Sequence, residues 1–442
     1  MAYSSGNRLP FESASKLGHL NVIESEWVKS LIDDFEIDDL GLGSDINDSI
    51  WDTYDINKEK VLQHIWVVDG SYVPVRENNK EVAFVKTALM TIEQSKIAKI
   101  DKEFPHPLQL QDIMKNSALF HSTVFPLKNI KSGKGNIYDT VRHSIFDSIK
   151  IEEQGLYFET LKWLVYEKWN MVHKNSPDFQ CPHCGLKIDD GIGYDKNVDD
   201  CKFCGKEVLL TDMIGFHLDM SEDSAPITVA SSYMMIMETL MLFTVIRLQW
   251  ESKDKNLVSE TLYIKDGPMT LGGQYAKLVP CIRNFLDHAK RIGRPIHIMG
   301  CEKSGRYFDY LHTIERFIPL NDGEIKYAVL SHDYIRKEIQ RAPEHINPYG
   351  SRTNYGEKVF VKLDKNTQMV LNMSPGEYIS SSDFPKSENI MGLGRILETL
   401  PSLVSRKYEG ALYPIELVNG IASMSNYPSA KILQDFIRDT LK

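Results

Sequence analysis

Apolar residues in this chain follow two patterns, short continuous runs and longer runs with helical spacing. Four consecutive apolar residues, 65–68, lie between His64 and Asp69 and predict a strand that is buried on both faces. Further strands are predicted at 81–91, 261–265, 295–299, 326–330, 358–362 and 367–371. Helical spacing covers 24–40, most of 100–175, 231–250 and 274–292. Strands that alternate with helices in this way predict an α/β fold.

The helix predicted at 231–250 is apolar on nearly every side, which is typical of a helix buried in a core. Glu238 lies in the middle of this helix, beside Met237 and close to Leu240. A buried carboxylate is costly unless it is ion-paired or binds a metal. The sequence leaves both roles open for Glu238, a metal ligand or one half of a buried salt bridge.

Two predicted strands end in the same dipeptide, Asp69-Gly70 and Asp266-Gly267. A single Asp-Gly pair is common in turns and has little specificity. In open α/β sheets, however, ligands bind at the carboxyl ends of the strands. Two acids at two strand ends are therefore well placed for metal or proton chemistry.

The lengths of two neighbouring elements place Glu238 near this edge of the sheet. The helix from Glu238 to Trp250 spans about 18 Å, and the strand from Thr261 to Asp266 spans about 17 Å. If the two elements pack antiparallel, Glu238 lies level with Asp266. Three carboxylates form a hard oxygen site that suits Mn²⁺ or Mg²⁺, and such sites support phosphodiester hydrolysis.

Four of the six cysteines lie in one short segment, as two C-x-x-C-G motifs formed by Cys181, Cys184, Cys201 and Cys204. This spacing is typical of a zinc ribbon, in which four thiolates close a tetrahedral Zn²⁺ site. Because such a site has no open position, we expect the zinc to be structural. The ribbon interrupts the α/β pattern and is expected to project from one face of the core.

Composition restricts the class of protein and its partners. The chain has 442 residues, of which 42% are hydrophobic and 25% charged, as in ordinary globular proteins. We expect a cytoplasmic protein with no membrane segment, since no signal-peptide core precedes the first helix. The net charge is -10, so binding to nucleic acid needs a local basic groove, a metal site or a basic partner.

Several stretches together resemble the NurA nucleases, the partners of the hexameric DNA translocase HerA. These stretches are VVDGSYVP, the helix with Glu238, YIKDGPMTL, HIMGCEKSGR and LYPIEL, within about 60–100 and 230–430. The resemblance implies an α/β, RNase H-like mixed-sheet core with helical elaborations, a homodimer that encloses DNA, and Mn²⁺-dependent DNA cleavage. It assigns metal binding to Asp69, Glu238 and Asp266, a phosphate contact to Lys303, and a place near the site to Tyr413.

The resemblance also suggests how the chain is divided. We expect an N-terminal helical arm at 1–60, two parts of the nuclease core at 61–175 and 213–442, and the zinc ribbon at 176–212. One departure is that the family has a His shortly after the position of Tyr413, whereas this chain has none there. His332 is a weaker substitute, since a buried structural His is the more common case.

Three functional hypotheses remain open from the sequence. The first is a metal-dependent deoxyribonuclease that acts with a HerA-like ATPase in DNA end processing or anti-phage defence. The second is a catalytically silent clamp or adaptor with the same fold and partners, which the missing His favours. The third is a zinc-ribbon nucleic-acid binder attached to an unrelated α/β domain.

Overall fold

The structure, a computed structural model, describes residues 25–34, 50–101, 106, 109, 113, 118–130, 132–321, 323–342, 348–405, 412–424 and 429–440. The chain divides into two compact units, Met1–Ile46 and Asn47–Lys442. In the first unit, helix α1 (Glu26–Asp33) begins after Ser25, whose side chain accepts a hydrogen bond from the backbone N–H of Val28. The remainder of this predicted helix, 35–40, lies outside the described residues.

The described part of the second unit contains all the strands. They are β1 (Asp52–Asp55), β2 (His64–Glu77), β3 (Lys80–Glu93), β4 (Ala118–Lys128), β5 (Phe179–Gln180), β6 (Lys187–Ile188), β7 (Val198–Asp200), β8 (Glu207–Leu209), β9 (Thr261–Asp266), β10 (His297–Glu302), β11 (Glu324–Val329), β12 (Glu357–Asp364) and β13 (Thr367–Met373). Nine of them form one mixed sheet in the order β1-β11-β12-β13-β10-β9-β2-β3-β4. Strands β2, β9 and β10 are parallel neighbours, whereas β2, β3 and β4 are antiparallel.

Helices cover both faces of this sheet. After α1 they are α2 (Gln94–Ile97), α3 (Ile137–Ile151), α4 (Leu156–Val165), α5 (Ile227–Glu251), α6 (Leu278–Arg291), α7 (Arg306–Ile314), α8 (His332–Tyr334), α9 (Leu393–Leu403), α10 (Tyr413–Ala422) and α11 (Ser429–Thr440). Helices α3 to α6 share one apolar cluster with the sheet, and α9 and α10 share a second cluster on its other side. We call these sides the α5 face and the α10 face.

Helix α5 lies within the first cluster, as its apolar sequence predicts. By length and composition it is apolar enough to cross a membrane, but 83% of its most apolar window is buried inside the protein. A core helix with neighbours on all sides has this composition. The architecture, with one large mixed sheet, agrees with the α/β, mixed-sheet part of the predicted fold class.

Three elements differ from the predicted pattern. Strand β1 lies within 1–60, which was expected to be a helical arm, and pairs with β11 in the main sheet. The segment expected to be mostly helical contains strand β4, and strand β2 continues eight residues beyond Asp69, to Glu77. The continuation pairs with β3 along its whole length, from His64 with Glu93 to Glu77 with Lys80. Asp69 therefore lies inside a long strand, and its neighbour Gly70 is not part of a turn.

The ribbon consists of two short hairpins, β5–β6 and β7–β8. Its apolar side chains, including Phe179, Ile188 and Val208, belong to the same buried cluster as α5. The expectation of a projecting module is therefore wrong, because the ribbon has too few apolar residues for a core of its own and packs into the main one.

Candidate functional site

The register of two parallel strands places Asp69 beside Asp266. Val68 on β2 pairs with Lys265 on β9, and the two aspartates follow these residues. Side chains alternate along a strand, and Val67 and Ile264 both belong to the cluster on the α10 face. Asp69 and Asp266 are two residues further along and therefore point to the α10 face, next to each other.

Lys303 lies at the same edge of the sheet. It follows β10, whose Cys301 pairs with Asp266 on β9. The Nζ of Lys303 donates a 2.8 Å hydrogen bond to Oδ2 of Asp266, and 32% of the lysine side chain is exposed. The structure thus brings together Asp69, Asp266 and Lys303, three of the five residues assigned to catalysis from the sequence.

Glu238 comes to the same level of the sheet, but on the α5 face. Its Oε2 lies 2.6 Å from Nζ of Lys265, and both side chains are buried. The predicted length match between α5 and β9 therefore holds to within one residue. Of the two roles left open for Glu238, the structure shows the salt bridge, with the lysine that directly precedes Asp266 as its partner.

Gly70 is the point where α5 comes closest to β2. A Cβ atom at this position would lie 2.5 Å from Cγ of Met234 and 2.8 Å from Oε1 of Glu238. Any larger residue would require the side chains of Met234 and Glu238 to move. The glycine after Asp69 therefore brings the carboxylate of Glu238 close to the backbone of the strand that carries Asp69.

The electrostatics of the site are dominated by Asp69. Its side chain is 8% exposed, and burial, together with the charges of Asp266 and Glu238, raises its pKa to about 7. The backbone N–H of Gly70 donates a 2.7 Å hydrogen bond to Oδ1 and opposes this shift only in part. Burial also raises the pKa of Glu238, with Lys265 opposing it.

These acids are suitable ligands for a divalent cation. Asp69 and Asp266 offer adjacent carboxylates of the kind that Mn²⁺ and Mg²⁺ prefer. Burial and the neighbouring carboxylates disfavour the charged form of Asp69 and raise its pKa, and a bound cation would oppose both effects. Among the described residues, the acids do not form a set of three with all ligand atoms within 4.8 Å; only the four cysteines do.

The four cysteine sulfurs have the spacing of a zinc site. Cys181 and Cys204 lie 3.8 Å apart, and Cys184 and Cys201 lie 3.9 Å apart. Tetrahedral zinc with Zn–S bonds of about 2.3 Å requires sulfurs about 3.8 Å apart. Burial raises the pKa of Cys201, but hydrogen bonds from the backbone N–H groups of Cys204 and Phe203 and from the thiols of Cys181 and Cys204 together lower it to about 7. Burial raises the pKa of Cys181 to about 12, so a bound metal would be needed to hold that sulfur as a thiolate. These observations support the predicted structural zinc.

The structure does not bring Tyr413 to the acids. Its side chain is 1% exposed and lies in the apolar cluster on the α10 face. Tyr413 begins α10, while Ala422 at the end of that helix accepts a 2.6 Å hydrogen bond from Ser71. The two ends of the helix are about 14 Å apart, so the end nearest to Asp69 is the one without the tyrosine.

His332 is also outside the group of acids. It is 1% exposed, and its Nε2 lies 3.1 Å from Oε2 of the equally buried Glu357. Its Nδ1 lies 3.1 Å from the carbonyl oxygen of Ser381. Both ring nitrogens therefore have partners within the fold, as expected for a buried structural histidine.

Two lysines of the site were missed in the sequence. Lys265 neutralises Glu238, and Lys86 on β3 donates a 2.7 Å hydrogen bond to the carbonyl of Ile421 in the last turn of α10. The role of Lys265 could have been predicted, because it is a charged residue in an otherwise buried strand that follows a helix with an isolated Glu. The contact of Lys86 could not have been predicted, since its partner is a backbone carbonyl from a distant segment.

The chain resembles the NurA nucleases. It matches the NurA nuclease from Sulfolobus solfataricus over 97% of this chain and 98% of that one, at 10% identity and a TM-score of 0.37. It matches NurA with manganese over 96% and 94% of the two chains, at 12% identity and a TM-score of 0.28. A third match is NurA bound to dAMP and manganese, over 97% and 94%, at 12% identity and a TM-score of 0.25.

No protein-family model and no curated protein matches the chain. The structural matches are to the same nucleases that the sequence motifs resemble. The identities and TM-scores are low, so we infer function from the geometry of the acids.

Proposed function

We propose that the chain is a NurA-like, metal-dependent deoxyribonuclease that hydrolyses phosphodiester bonds. The observation that carries the proposal is the pair Asp69 and Asp266, adjacent on two parallel strands, with Lys303 hydrogen-bonded to the second acid. Mn²⁺ and dAMP are bound in NurA structures, and we extend this ion and this class of ligand to the present chain as part of the proposal.

The residues of the chain have distinct roles in this proposal. Asp69 and Asp266 hold the divalent cation, and Glu238 contributes charge from the α5 face. When bound, the ion supplies Lewis-acid activation of water and stabilises the charge on the leaving oxygen. The ammonium of Lys303 is partly exposed beside Asp266, where it can contact a phosphate oxygen. The N–H of Gly70 orients the carboxylate of Asp69.

The order of five strands supports an RNase H-like core. The antiparallel strands β4, β3 and β2 are followed by the parallel strands β9 and β10, and the two acids lie where the parallel part begins. The core would comprise 61–175 and 213–442, separated by the ribbon at 176–212, and the segment expected as an arm at 1–60 adds strand β1 to the same sheet. Zinc in the ribbon is structural in this proposal.

The proposal includes a biological setting. The protein acts as a cytoplasmic homodimer that binds DNA and works with a HerA-like hexameric ATPase, in DNA end processing or in anti-phage defence. An acidic chain with a net charge of -10 gains little from general attraction to DNA. A translocase that delivers DNA would supply the missing affinity.

One observation favours the alternative, a silent clamp or adaptor. Glu238 and Asp266 each contact a lysine, so two of the three acids that the sequence assigned to metal binding already have a cationic partner. In an adaptor, Mn²⁺ would not bind at these acids. Calorimetric titration with Mn²⁺ separates the two hypotheses, because a nuclease site loses its affinity in Asp69→Asn and an adaptor has none to lose.

The test is cleavage of labelled linear duplex and single-stranded DNA with Mn²⁺ or Mg²⁺, with and without a HerA-type ATPase. We expect Asp69→Asn and Asp266→Asn to reduce cleavage by at least about 100-fold, since removal of one transition-state contact commonly costs this much. Asp287→Asn is the matched control, because this aspartate lies on α6 and pairs with Arg291. Full activity in either site variant would overturn the proposal.

A further inference from the structure

A cleft of about 690 Å³ lies beside the zinc ribbon, and none of the acids proposed for catalysis lines it. Phe179 and Lys187 line it from the ribbon, His217 from the segment that follows, and Gln274 and Lys277 from the segment after β9. Volumes of about 300–1,000 Å³ are usual for sites that bind small molecules. Neither the zinc site nor the acids account for this cleft.

The walls of the cleft are held together by a close backbone contact. Gly215, which has φ of +99°, lies so near Gln274 that a Cβ atom would be 2.9 Å from the carbonyl oxygen of Gln274. Only glycine is tolerated at this φ and this distance without strain. The segment after the ribbon and the segment after β9 are therefore fixed against each other.

Two polar side chains in the wall have unused hydrogen-bonding capacity. His217 is 7% exposed, and neither of its ring nitrogens has a partner in hydrogen-bond geometry among the described residues, although the carbonyl of Gln180 is nearby. Nε2 of Gln274 is likewise buried without a partner in hydrogen-bond geometry, although the hydroxyl of Tyr275 is close. Burial lowers the pKa of His217, although Asp212 and the nearby carbonyl of Gln180 oppose the shift. A neutral imidazole offers one donor and one acceptor.

The rest of the lining combines apolar walls with a basic rim. Phe179 and Met213 are apolar and buried. Asp178 bridges Lys277 at 2.7 Å and Lys187 at 2.9 Å. Arg352 at the rim is exposed and has no ion-pair partner among the described residues. In total, four cations line the cleft, namely Lys174, Lys187, Lys277 and Arg352, against the two carboxylates Asp178 and Asp212.

We propose that this cleft binds one unpaired nucleotide of a DNA strand, with the base against the apolar wall and the phosphate at the basic rim. The edge of a base needs both donors and acceptors, which His217 and Gln274 can supply through small side-chain rotations. A phosphate needs a cation without a competing carboxylate, which Arg352 provides. The inference rests on the proposed function only for the choice of DNA as the anion, and it makes the ribbon part of a DNA-binding surface.

The local charge supports DNA as the occupant. The chain as a whole carries a net charge of -10, whereas cations outnumber carboxylates by two to one in the lining of this cleft. Three of these cations are ion-paired, which makes Arg352 the one on which phosphate binding depends. Proteins that bind single strands combine such basic surfaces with apolar contacts to the bases. The salt dependence of binding reports how many phosphates are neutralised, which gives a direct measurement.

The experiment is fluorescence anisotropy of a labelled oligothymidylate with the full-length, zinc-loaded protein, without divalent cations, at several salt concentrations. We expect Arg352→Ala to weaken binding by about 10-fold, since a charge-assisted hydrogen bond contributes about 1.5 kcal/mol. The slope of log K against log salt should fall by about 0.7, the value for one phosphate on a single strand. An unchanged slope in Arg352→Ala would overturn the inference.

His217→Leu tests the contact with the base. It removes buried nitrogens that lack partners, so the fold should be as stable as the wild type or more so, while binding to oligothymidylate weakens. An oligonucleotide of abasic residues should bind wild type and His217→Leu equally, because it has no base to contact. If His217→Leu lost the same affinity for both oligonucleotides, the assignment of His217 to the base would be wrong. Lys202→Ala is the control, since Lys202 lies on the ribbon but does not line the cleft.

Hydrolysis of bis(p-nitrophenyl) phosphate with Mn²⁺ separates this inference from the proposed function. This small diester requires only the acids, so Arg352→Ala and His217→Leu should hydrolyse it at the wild-type rate. If the wild type hydrolyses it and the variants bind DNA normally, the cleft inference alone is wrong. If the wild type hydrolyses neither this diester nor DNA, the proposed function is wrong. The salt dependence of oligothymidylate binding then still tests whether the cleft binds a nucleotide.

Discussion

Lys265 and Glu238 form a buried ion pair, with Nζ of the lysine 2.6 Å from Oε2 of the glutamate. The pair lies on the α5 face, directly behind the strand positions that carry Asp69 and Asp266. The same Nζ donates a 3.1 Å hydrogen bond to the backbone carbonyl of Asp266. One ammonium group thus connects the helix acid to the strand that bears the second candidate ligand.

Lys265→Met should destabilise the protein strongly. The variant leaves Glu238 buried without a counter-charge, and breaking a buried pair in this way commonly costs about 3–5 kcal/mol. The double variant Lys265→Met/Glu238→Gln should recover much of this loss, because no uncompensated charge remains. The free energy of unfolding from urea titration checks both. Equal stability of the single and the double variant would show that the pair contributes little.

Gly70→Ala should force the side chains of Met234 and Glu238 on α5 to repack. The new methyl group would overlap Cγ of Met234 and Oε1 of Glu238, and forced repacking of this kind costs about 1–3 kcal/mol. Mn²⁺ affinity should fall as well, because the acid on α5 moves. Gly272→Ala is the control, since Gly272 has φ of -61° and no atom within 4 Å of the added Cβ. Equal melting temperatures for the two variants would contradict this view.

In the metal-free protein, the stability contributed by Asp69 should be lost as the pH rises from about 4 to about 7. The pKa of Asp69 is about 7 in the folded state and 3.8 as a reference, so the folded protein binds the proton more tightly and loses this advantage as pH rises. The full effect is about 4 kcal/mol. Asp69→Asn should match the wild type near pH 4 and be more stable at pH 8. If the urea midpoints of Asp69→Asn and the wild type changed with pH in parallel, this contribution of Asp69 would be ruled out.

Removal of zinc should unfold the ribbon and open the cleft beside it. Phe179 and Gln180 line the cleft and immediately precede Cys181, so loss of the metal removes one wall. Cys184→Ser should eliminate the one zinc per chain measured by plasma mass spectrometry and accelerate hydrogen exchange at 179–209. Cys281→Ser is the control for zinc content, because Cys281 is buried on α6 and is not one of the four clustered sulfurs. Retained zinc in Cys184→Ser would disprove the four-sulfur site.

Much of this arrangement was predictable because it depends on local pattern. The apolar runs that end in Asp69 and Asp266 indicate strands, and the cysteine spacing indicates the ribbon. The length of α5 indicates the level of Glu238. These features depend on residues that are close in sequence, and the parallel register of β2 and β9 then follows from the α/β pattern.

The remainder depends on partners distant in sequence. Strand β4 contains His121, which is fully buried and whose Nε2 lies 2.7 Å from the hydroxyl of Tyr233 on α5. A polar residue in the core obscures the alternation of a strand unless its partner is known. The end of β2 was likewise not visible, because its last residues are strand only through pairing with β3.

The two aspartates lie on β2 and β9, which are interior strands of the nine-stranded sheet. Interior strands exchange their amide hydrogens last, since their hydrogen bonds open only when the whole domain opens. Local fraying at the sheet edges would therefore leave the acids in register. Heat should therefore disrupt the candidate site only at the temperature at which the whole domain melts, and not at a lower temperature.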